Sequence, residues 1–226
     1  MSNVIINFLK EVNCKYKNLD LFLEALTHPS AAFGKNAKNY QRLEFLGDSV
    51  LSMFIAGKLV DYYQDENEGM LSKRHAYLVS GDLISKIAQS VNLGQVMIFS
   101  KNEEKNSGRD NKRNLENGFE ALIGAIYLDS GFDYCGEFID KYWHDFIIKD
   151  LVYDIDPVSR LQEIIQSKTK KLPKYQTVRN GGNEHDPIFT SVVEFEDQRY
   201  AANGSSKKDA QKKAAKYALE VINNKN

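Results

Sequence analysis

Residues 41–51, QRLEFLGDSVL, place Glu44 and Asp48 four positions apart within a mostly apolar segment. Residues with this spacing share one face of a helix, with their Cβ atoms about 5–6 Å apart. Carboxylates in a segment that builds a core are costly unless they are paired, hydrogen-bonded or bound to a metal. The stretch therefore predicts a helix that carries an acidic pair beside a buried core.

The charge is distributed unevenly along the 226 residues, although the net charge is only −1. Residues 1–156 hold 17 basic and 23 acidic side chains, whereas residues 157–226 hold 13 basic and 8 acidic side chains. An acidic part followed by a small basic part indicates that the two parts have different functions, and that the basic part binds a polyanion.

Composition and motifs exclude several classes of protein. The longest apolar stretch, ALIGAIYL, is too short to cross a bilayer. The N-terminus lacks the basic segment and cleavage pattern of a signal peptide. Cys14 and Cys135 form no disulfide framework, and the four histidines share no zinc-ligand spacing. We therefore expect a cytoplasmic protein with no membrane segment and no zinc site.

The hydrophobic pattern predicts two domains. Apolar residues that recur three and four positions apart predict helices over 19–26, 46–63, 72–91, 115–130 and 134–147. This succession of helices indicates an all-α domain over residues 1–150. A short linker, 151–156, precedes a second pattern. It predicts a helix from Pro157, strands over 174–180, 187–197 and 198–204, and a helix over 205–222. This order indicates a small α+β domain of α-β-β-β-α type over residues 157–226.

A second acidic group lies in NLENGFEALIGAIYL, where Asn117 and Glu120 have i, i+3 spacing. If this helix packs beside the first, it brings together a cluster of oxygen ligands that suits a hard cation such as magnesium. The cluster comprises Glu44, Asp48, Asn117 and Glu120. Glu116 is a rival ligand because it lies four residues before Glu120. The alternative is that these acids form an ordinary solvated helix face.

The segment NGSSKKDAQKKAAKYAL carries the basic charge of the second domain. Ser206 with Asp209 predicts a capped helix N-terminus, and Lys207, Lys208 and Lys212 follow it. Ser159, Gln162 and Glu163 on the first helix and His185 in the loop GGNEHDPIF give two further polar edges. Three such edges match neighbouring grooves of A-form RNA, which is read largely by shape. The alternative is a solvated lysine-rich face.

These blocks resemble the ribonuclease III family. QRLEFLGDS is similar to the family signature, and ENEGMLSKRHAYLVS, GRDN and FEALIGAIYLDSG resemble later family blocks in the same order. HDPIF and GSSKKDAQKKAA resemble parts of a double-stranded-RNA-binding domain. The resemblance covers nearly the whole chain.

The resemblance implies roles for individual residues. Asp48 and Glu120 match catalytic positions, Glu44 and Asn117 complete the metal site with them, and Glu68 matches a further family acid. It also implies a homodimer with Phe45 and Leu46 at the interface, and Mg²⁺ as cofactor with Mn²⁺ as a substitute. The implied activity is cleavage of double-stranded RNA in structured precursors of rRNA, tRNA and mRNA. The implied products have 5′-phosphate and 3′-hydroxyl ends with two-nucleotide 3′ overhangs.

Two positions depart from the pattern of that family. Gln41 stands where glutamate is commonest, and Asn117 stands where aspartate is common. Asn117 keeps an oxygen that can ligate a metal but removes one negative charge. We expect an active enzyme with weaker metal affinity. The alternative is a duplex-RNA-binding protein with a degenerate, weakly active nuclease site.

Overall fold

The computed structural model describes residues 2–32, 34, 37–149, 157–183 and 186–223. Within it the chain divides into two compact units, residues 1–149 and residues 150–226. The predicted linker, 151–156, and His185 lie outside the described residues.

The first unit is helical. Its helices are α1 (Ser2–Glu11), α2 (Leu19–Ala25), α3 (Gln41–Tyr62), α4 (Glu68–Leu78), α5 (Gly81–Ser90), α6 (Leu93–Val96), α7 (Lys101–Lys105) and α8 (Lys112–Ile148), with a 3₁₀ turn at Pro29–Ala31. The only β contact among the described residues of this unit is an isolated bridge between Thr27 and Ile98. The predicted all-α class of this domain is confirmed.

The structure shifts several predicted helix boundaries. The segment predicted as one helix over 72–91 is two helices, because Ser80 caps α5 by accepting a hydrogen bond from the Leu83 N–H. The two helices predicted over 115–130 and 134–147 are confirmed, because the segment labelled α8 consists of two helices that meet at a kink where the Gly131 backbone is not helical (φ 85°, ψ 176°). Helix α3 begins at Gln41 rather than at 46, and α1 was not predicted.

Helices α3 and α8 form the centre of this unit. The inward residues of α3, Leu51, Ile55 and Leu59, are fully buried in one hydrophobic core together with Phe119 and Leu122 of α8. Among the described residues, these two helices form the most extensive contact between any two elements. Burial of such side chains contributes roughly 1.5–3 kcal/mol each, so the site between these helices rests on a well-packed base.

The second unit has the order α9 (Pro157–Thr169), β1 (Lys174–Gly182), β2 (Pro187–Phe195), β3 (Gln198–Gly204) and α10 (Lys207–Asn223). The strands form an antiparallel sheet in the order β1-β2-β3. Leu161 of α9, Val193 of β2 and Ala218 of α10 share one buried core, so both helices pack on the same face of the sheet. This arrangement confirms the predicted α-β-β-β-α class.

Candidate active site and RNA-binding surface

Glycines let helices α3 and α8 approach at backbone distance. A Cβ atom at Gly47 would lie 1.7 Å from the carbonyl oxygen of Glu120, and a Cβ atom at Gly124 would lie 2.2 Å from that of Leu43. Only glycine fits such contacts without displacing the backbone. The close approach places the acidic turn of α3 directly beside that of α8.

A cavity of about 830 Å³ opens at this helix pair. It unites the acids that the sequence predicted on two separate helices. All four predicted metal ligands line it, and α5 contributes a third wall. The polar side chains that line the cavity are Gln41, Glu44, Asp48, Asp82, Lys112, Arg113, Glu116, Asn117 and Glu120.

Glu120 is the most buried acid of the cavity, with 8% of its surface exposed. Its pKa is raised to about 8, first by burial and then by the charges of Asp48, Glu116 and Glu44, in that order. Burial also raises the pKa of Glu44 and of Glu116, while the nearby Arg113 guanidinium works in the opposite direction on both. The raised pKa values indicate that ionisation of these crowded acids is unfavourable, and a bound cation would relieve this cost.

Asn117 is anchored by a residue that was not predicted. Its Nδ2 donates a hydrogen bond of 3.4 Å to the hydroxyl of Tyr40, which is buried at the start of α3. With the amide nitrogen used in this way, the amide oxygen is left as the group that can serve as a ligand. Gln41, the other departure from the family pattern, lies exposed at the cavity rim.

Glu116 lies against the start of α5. Both of its carboxylate oxygens would be 2.4 Å from a Cβ atom at Gly81, so a larger residue there would displace the Glu116 side chain. Beside it, Lys112 donates a hydrogen bond of 2.7 Å to Asp82, whose pKa this bond lowers. Asp82, Lys112 and Arg113 were missed by the sequence reasoning, although two cations in the first turn of an otherwise acidic helix segment are an unusual signal.

Glu68, the further acid that was predicted, lies elsewhere. It sits exposed in the first turn of α4 and accepts a hydrogen bond of 2.7 Å from Ser72 Oγ. It is not among the residues that line the cavity. The structure thus brings together Glu44, Asp48, Asn117 and Glu120, but not Glu68.

The predicted interface residues Phe45 and Leu46 are on the outer side of α3. The Phe45 side chain is 78% exposed, whereas Leu46 is half-buried against the core. Both also line a second cavity of about 1000 Å³, whose apolar wall comes from Leu21, Leu43 and Leu128. Phe45 borders the acidic cavity as well.

In the second unit, the predicted capping residues are in place. Ser206 Oγ accepts a hydrogen bond of 3.1 Å from the Asp209 N–H, and the Asp209 carboxylate accepts one of 2.9 Å from the Ser205 N–H. The Asp209 carboxylate also accepts a hydrogen bond of 2.8 Å from Lys213 Nζ, which together with Ser205 lowers its pKa. The predicted cap therefore fixes the start of α10.

The predicted RNA contacts flank this cap and line α9. Lys207 and Lys208 are exposed in the first turn of α10, and Lys212 follows one turn later, half-buried. On α9, Gln162 is exposed, while Ser159 and Glu163 are half-buried. The structure thus places these residues on the two helices that share one face of the sheet.

The described residues contain no group of three or more histidine, cysteine, aspartate or glutamate side chains that is already close enough to hold a metal ion. The acids instead surround the cavity and would have to converge on an ion. No helix in the described part of the chain is long and apolar enough to cross a membrane.

Comparisons with known proteins agree with this two-part architecture. Residues 18–147 match the family described as Ribonuclease-III-like, and residues 157–222 match the double-stranded RNA binding motif. Ribonuclease 3 of a Wolbachia species from Drosophila simulans is 43% identical over 94% of each chain. Ribonuclease 3 of Ehrlichia chaffeensis is 42% identical over 98% of this chain and 99% of its own.

A solved structure is similar to the first unit. It is a nuclease domain of ribonuclease III from Campylobacter jejuni, described for flexibility in a region involved in dimer formation. It is 37% identical, covers 61% of this chain and 96% of its own, and has a TM-score of 0.56.

The fold and the cavity define a helical nuclease domain joined to a double-stranded-RNA-binding domain. Relatives of this identity extend over nearly the full length of the chain. The chain belongs to the ribonuclease III family and is an enzyme of that family.

Proposed function

We propose that this enzyme is a magnesium-dependent endonuclease that cuts both strands of duplex RNA and leaves 5′-phosphate and 3′-hydroxyl ends with two-nucleotide 3′ overhangs. The observation that carries the proposal is the acidic cavity, in which the buried Glu120 faces the neighbouring charges of Asp48 and Glu44. Such crowding around a buried carboxylate is costly, and it repels a polyanionic substrate, so a bound cation would lower both costs.

The chemistry of the cavity residues fits a hard divalent cation. Carboxylate oxygens and an amide oxygen are the ligands that Mg²⁺ accepts, and Mn²⁺ can replace it at such sites. Glu44, Asp48, Asn117 and Glu120 would hold the ion. A bound cation of this kind supplies Lewis-acid activation of the attacking water and neutralises charge on the phosphate.

The cavity residues also have tasks of their own. Tyr40 keeps the Asn117 amide oriented. The contact between Gly47 and the Glu120 backbone fixes the distance between the two acidic turns. Glu120, with its raised pKa, must release its proton before it can bind a cation, so we expect proton release to accompany metal binding.

The outer face of α3 supports a homodimer. Besides Phe45, this face exposes 60% of Met53 and 60% of Val60, at spacings that keep all three on one side of the helix. In a twofold-symmetric pair the same patch meets itself. The exposed Phe45 ring of one copy then has an apolar cavity available in the other. Two acidic cavities beside such an interface suit the cleavage of two strands.

The second unit supports duplex RNA as the substrate. Lys207, Lys208 and Lys212 place positive charge at the capped start of α10, while α9 offers the polar Gln162. Such a module reads shape and 2′-hydroxyls more than base sequence. We propose structured precursors of rRNA, tRNA and mRNA as targets, encountered in the cytoplasm.

The experiment is cleavage of an RNA duplex and of one of its single strands by the full chain, with Mg²⁺, with Ca²⁺ or with a chelator. We expect the duplex alone to be cut, only with Mg²⁺, and sequencing of the fragment ends to show two-nucleotide 3′ overhangs. Binding of the duplex without cutting over a wide range of Mg²⁺ concentrations would instead favour a degenerate nuclease site. Cutting of the single strand at an equal rate would refute duplex specificity.

A further inference from the structure

Two cations line the otherwise acidic cavity, Lys112 and Arg113, at the start of α8. Helix stability does not account for them. The first turn of α8 has no acidic side chain, and the positive end of a helix dipole disfavours cations. Asn111 already caps this helix by accepting hydrogen bonds from the N–H groups of Arg113 and Asn114.

The two cations differ in what they bind. Lys112 Nζ donates to Asp82 at 2.7 Å, so its charge has a partner on α5. The side chain of Arg113 is exposed and makes no hydrogen bond or ion pair with any of the described residues. It nevertheless lies near enough to Glu44 and Glu116 to act on the charge of both. Arg113 is thus a cation with unused donors at the mouth of an acidic cavity.

The unused donors match the chemistry of a phosphate group. A guanidinium presents planar pairs of N–H donors that bind phosphate oxygens in a bidentate manner. The carboxylates repel an approaching nucleic acid, and a cation at the rim offsets part of that repulsion. We propose, on the basis of the proposed function, that Arg113 binds a backbone phosphate of the duplex RNA at the acidic cavity.

The competing explanation is internal to the protein. Arg113 could serve only to screen the carboxylates of the cavity. The two explanations differ in a measurable quantity, because each phosphate contact displaces condensed counterions from RNA. Loss of one contact lowers the slope of log affinity against log salt by about one, whereas loss of internal screening leaves the slope unchanged.

The test is fluorescence anisotropy of a labelled RNA duplex with the full chain, over a range of salt, with Ca²⁺ in place of Mg²⁺. We expect Arg113→Gln to weaken binding about threefold or more and to lower the salt slope by about one. Arg113→Lys, which keeps the charge, should retain the slope. Lys10→Gln is the matched control, since it removes one exposed charge from α1 of the same unit; it should change neither quantity.

Affinity and salt slope in Arg113→Gln equal to those of Lys10→Gln would overturn the proposal. So would an unchanged slope accompanied by a lower melting temperature, which would identify a screening role. The binding measurement does not depend on cutting. Absence of cleavage by the unmodified protein in Mg²⁺ would therefore count against the proposed function, whereas the slope would still decide the role of Arg113.

Discussion

Asn117 places an amide among carboxylates, and its consequence can be measured at the level of this one residue. A carboxylate there would add one negative charge to the ligand set of a divalent cation. We expect Asn117→Asp to lower the Mg²⁺ concentration that gives half of the maximal cleavage rate. Gln41→Glu is the matched control, because it adds the same charge at the exposed rim of the cavity.

An unchanged or higher Mg²⁺ requirement in Asn117→Asp would show that residue 117 does not act as a ligand. An equal decrease of the Mg²⁺ requirement in Gln41→Glu would show that any added negative charge near the cavity has this effect, whether or not it contacts the ion. Glu116→Ala is the third variant. If its cleavage rate depends on Mg²⁺ as that of the unmodified protein does, Glu116 is not a metal ligand.

Glu120 gives a prediction on stability against pH. Its pKa is raised from 4.5 to about 8, so between these values the folded chain holds a proton that the unfolded chain has lost. Ionising Glu120 in the folded protein lowers the free energy of unfolding. This loss of stability is absent below pH 4.5, grows as the pH rises, and is complete above about pH 8. Because glutamine cannot ionise, Glu120→Gln should melt at a higher temperature than the unmodified protein, by a margin that widens across this range.

This margin is measured by thermal unfolding in a chelator, so that no cation compensates the carboxylate. Asp209→Asn should change the melting temperature in the opposite direction, so that the variant melts below the unmodified protein at neutral pH. The pKa of Asp209 is lowered by Lys213 and Ser205, so its contribution is present at neutral pH and is lost in acid. A margin for Glu120→Gln that stays constant with pH would contradict the assigned burial of Glu120.

For individual residues, the sequence allowed predictions where side chains at helical spacing must lie on one face of a helix. Glu44, Asp48, Asn117 and Glu120 could be grouped because helical periodicity puts them on two faces that then meet. Arg113 was overlooked, although it lies four residues before Asn117 and seven before Glu120 and so shares their helix face. Tyr40 could not be assigned in this way, because its hydrogen bond to Asn117 depends on how α3 and α8 pack. The separation of Glu68 from the cavity likewise follows from the direction of α4, which local pattern does not encode.

Among the contacts between elements, the one between α3 and α8 sets the distance between the two acidic turns. Gly47 and Gly57 are on the same helix, but only Gly47 faces a backbone, while a Cβ atom at Gly57 would have no neighbour within 4 Å. We expect Gly47→Ala to destabilise the fold by about 1–3 kcal/mol and to reduce cleavage, because the acidic turns move apart.

The matched control is Gly57→Ala, which should stabilise the protein by up to about 1 kcal/mol through its effect on helix propensity. Both variants are compared by chemical denaturation, while the cleavage rate of Gly47→Ala is compared with that of the unmodified protein, because Gly57 shares the proposed dimer face with Met53 and Val60. Equal stability of the two variants would contradict the backbone contact between α3 and α8.

Element types followed from the sequence more readily than their ends. Periodicity identified α2, α3, α9 and α10, and strand β3 was placed at its observed bounds, 198–204. The break between α4 and α5 was hidden because both helices continue the same apolar spacing, and only the Ser80 side chain marks the boundary. The short helices α6 and α7 carry too few residues for a period to be recognised.

At the scale of the whole molecule, the proposed homodimer depends on the exposed face of α3. Replacing the apolar Phe45 by a charged residue would place a charge in the cavity of the second copy. We expect Phe45→Asp to convert the dimer to a monomer in sedimentation measurements and to reduce cleavage. Val4→Asp, at an exposed apolar residue on α1, should leave the dimer intact. A Phe45→Asp protein that sediments like the unmodified one would contradict the assigned interface.

Charge and periodicity both change near residue 157, and for this reason the sequence predicts two domains. The helical unit is acidic and has a period near 3.6, whereas the second unit is basic and contains alternating strands. The cavity beside Phe45 could not be predicted, since only the packing of α8 brings Leu128 to the walls formed by α2 and α3.

The central proposal is that the acidic cavity around Glu120 performs the cutting, while the second unit carries most of the affinity for duplex RNA. Its most direct test compares the unmodified protein with Glu120→Gln in one assay that records duplex binding and Mg²⁺-dependent cleavage together. We expect retained binding and a cleavage rate lower by at least about a hundredfold. Cleavage by Glu120→Gln at the unmodified rate would contradict it.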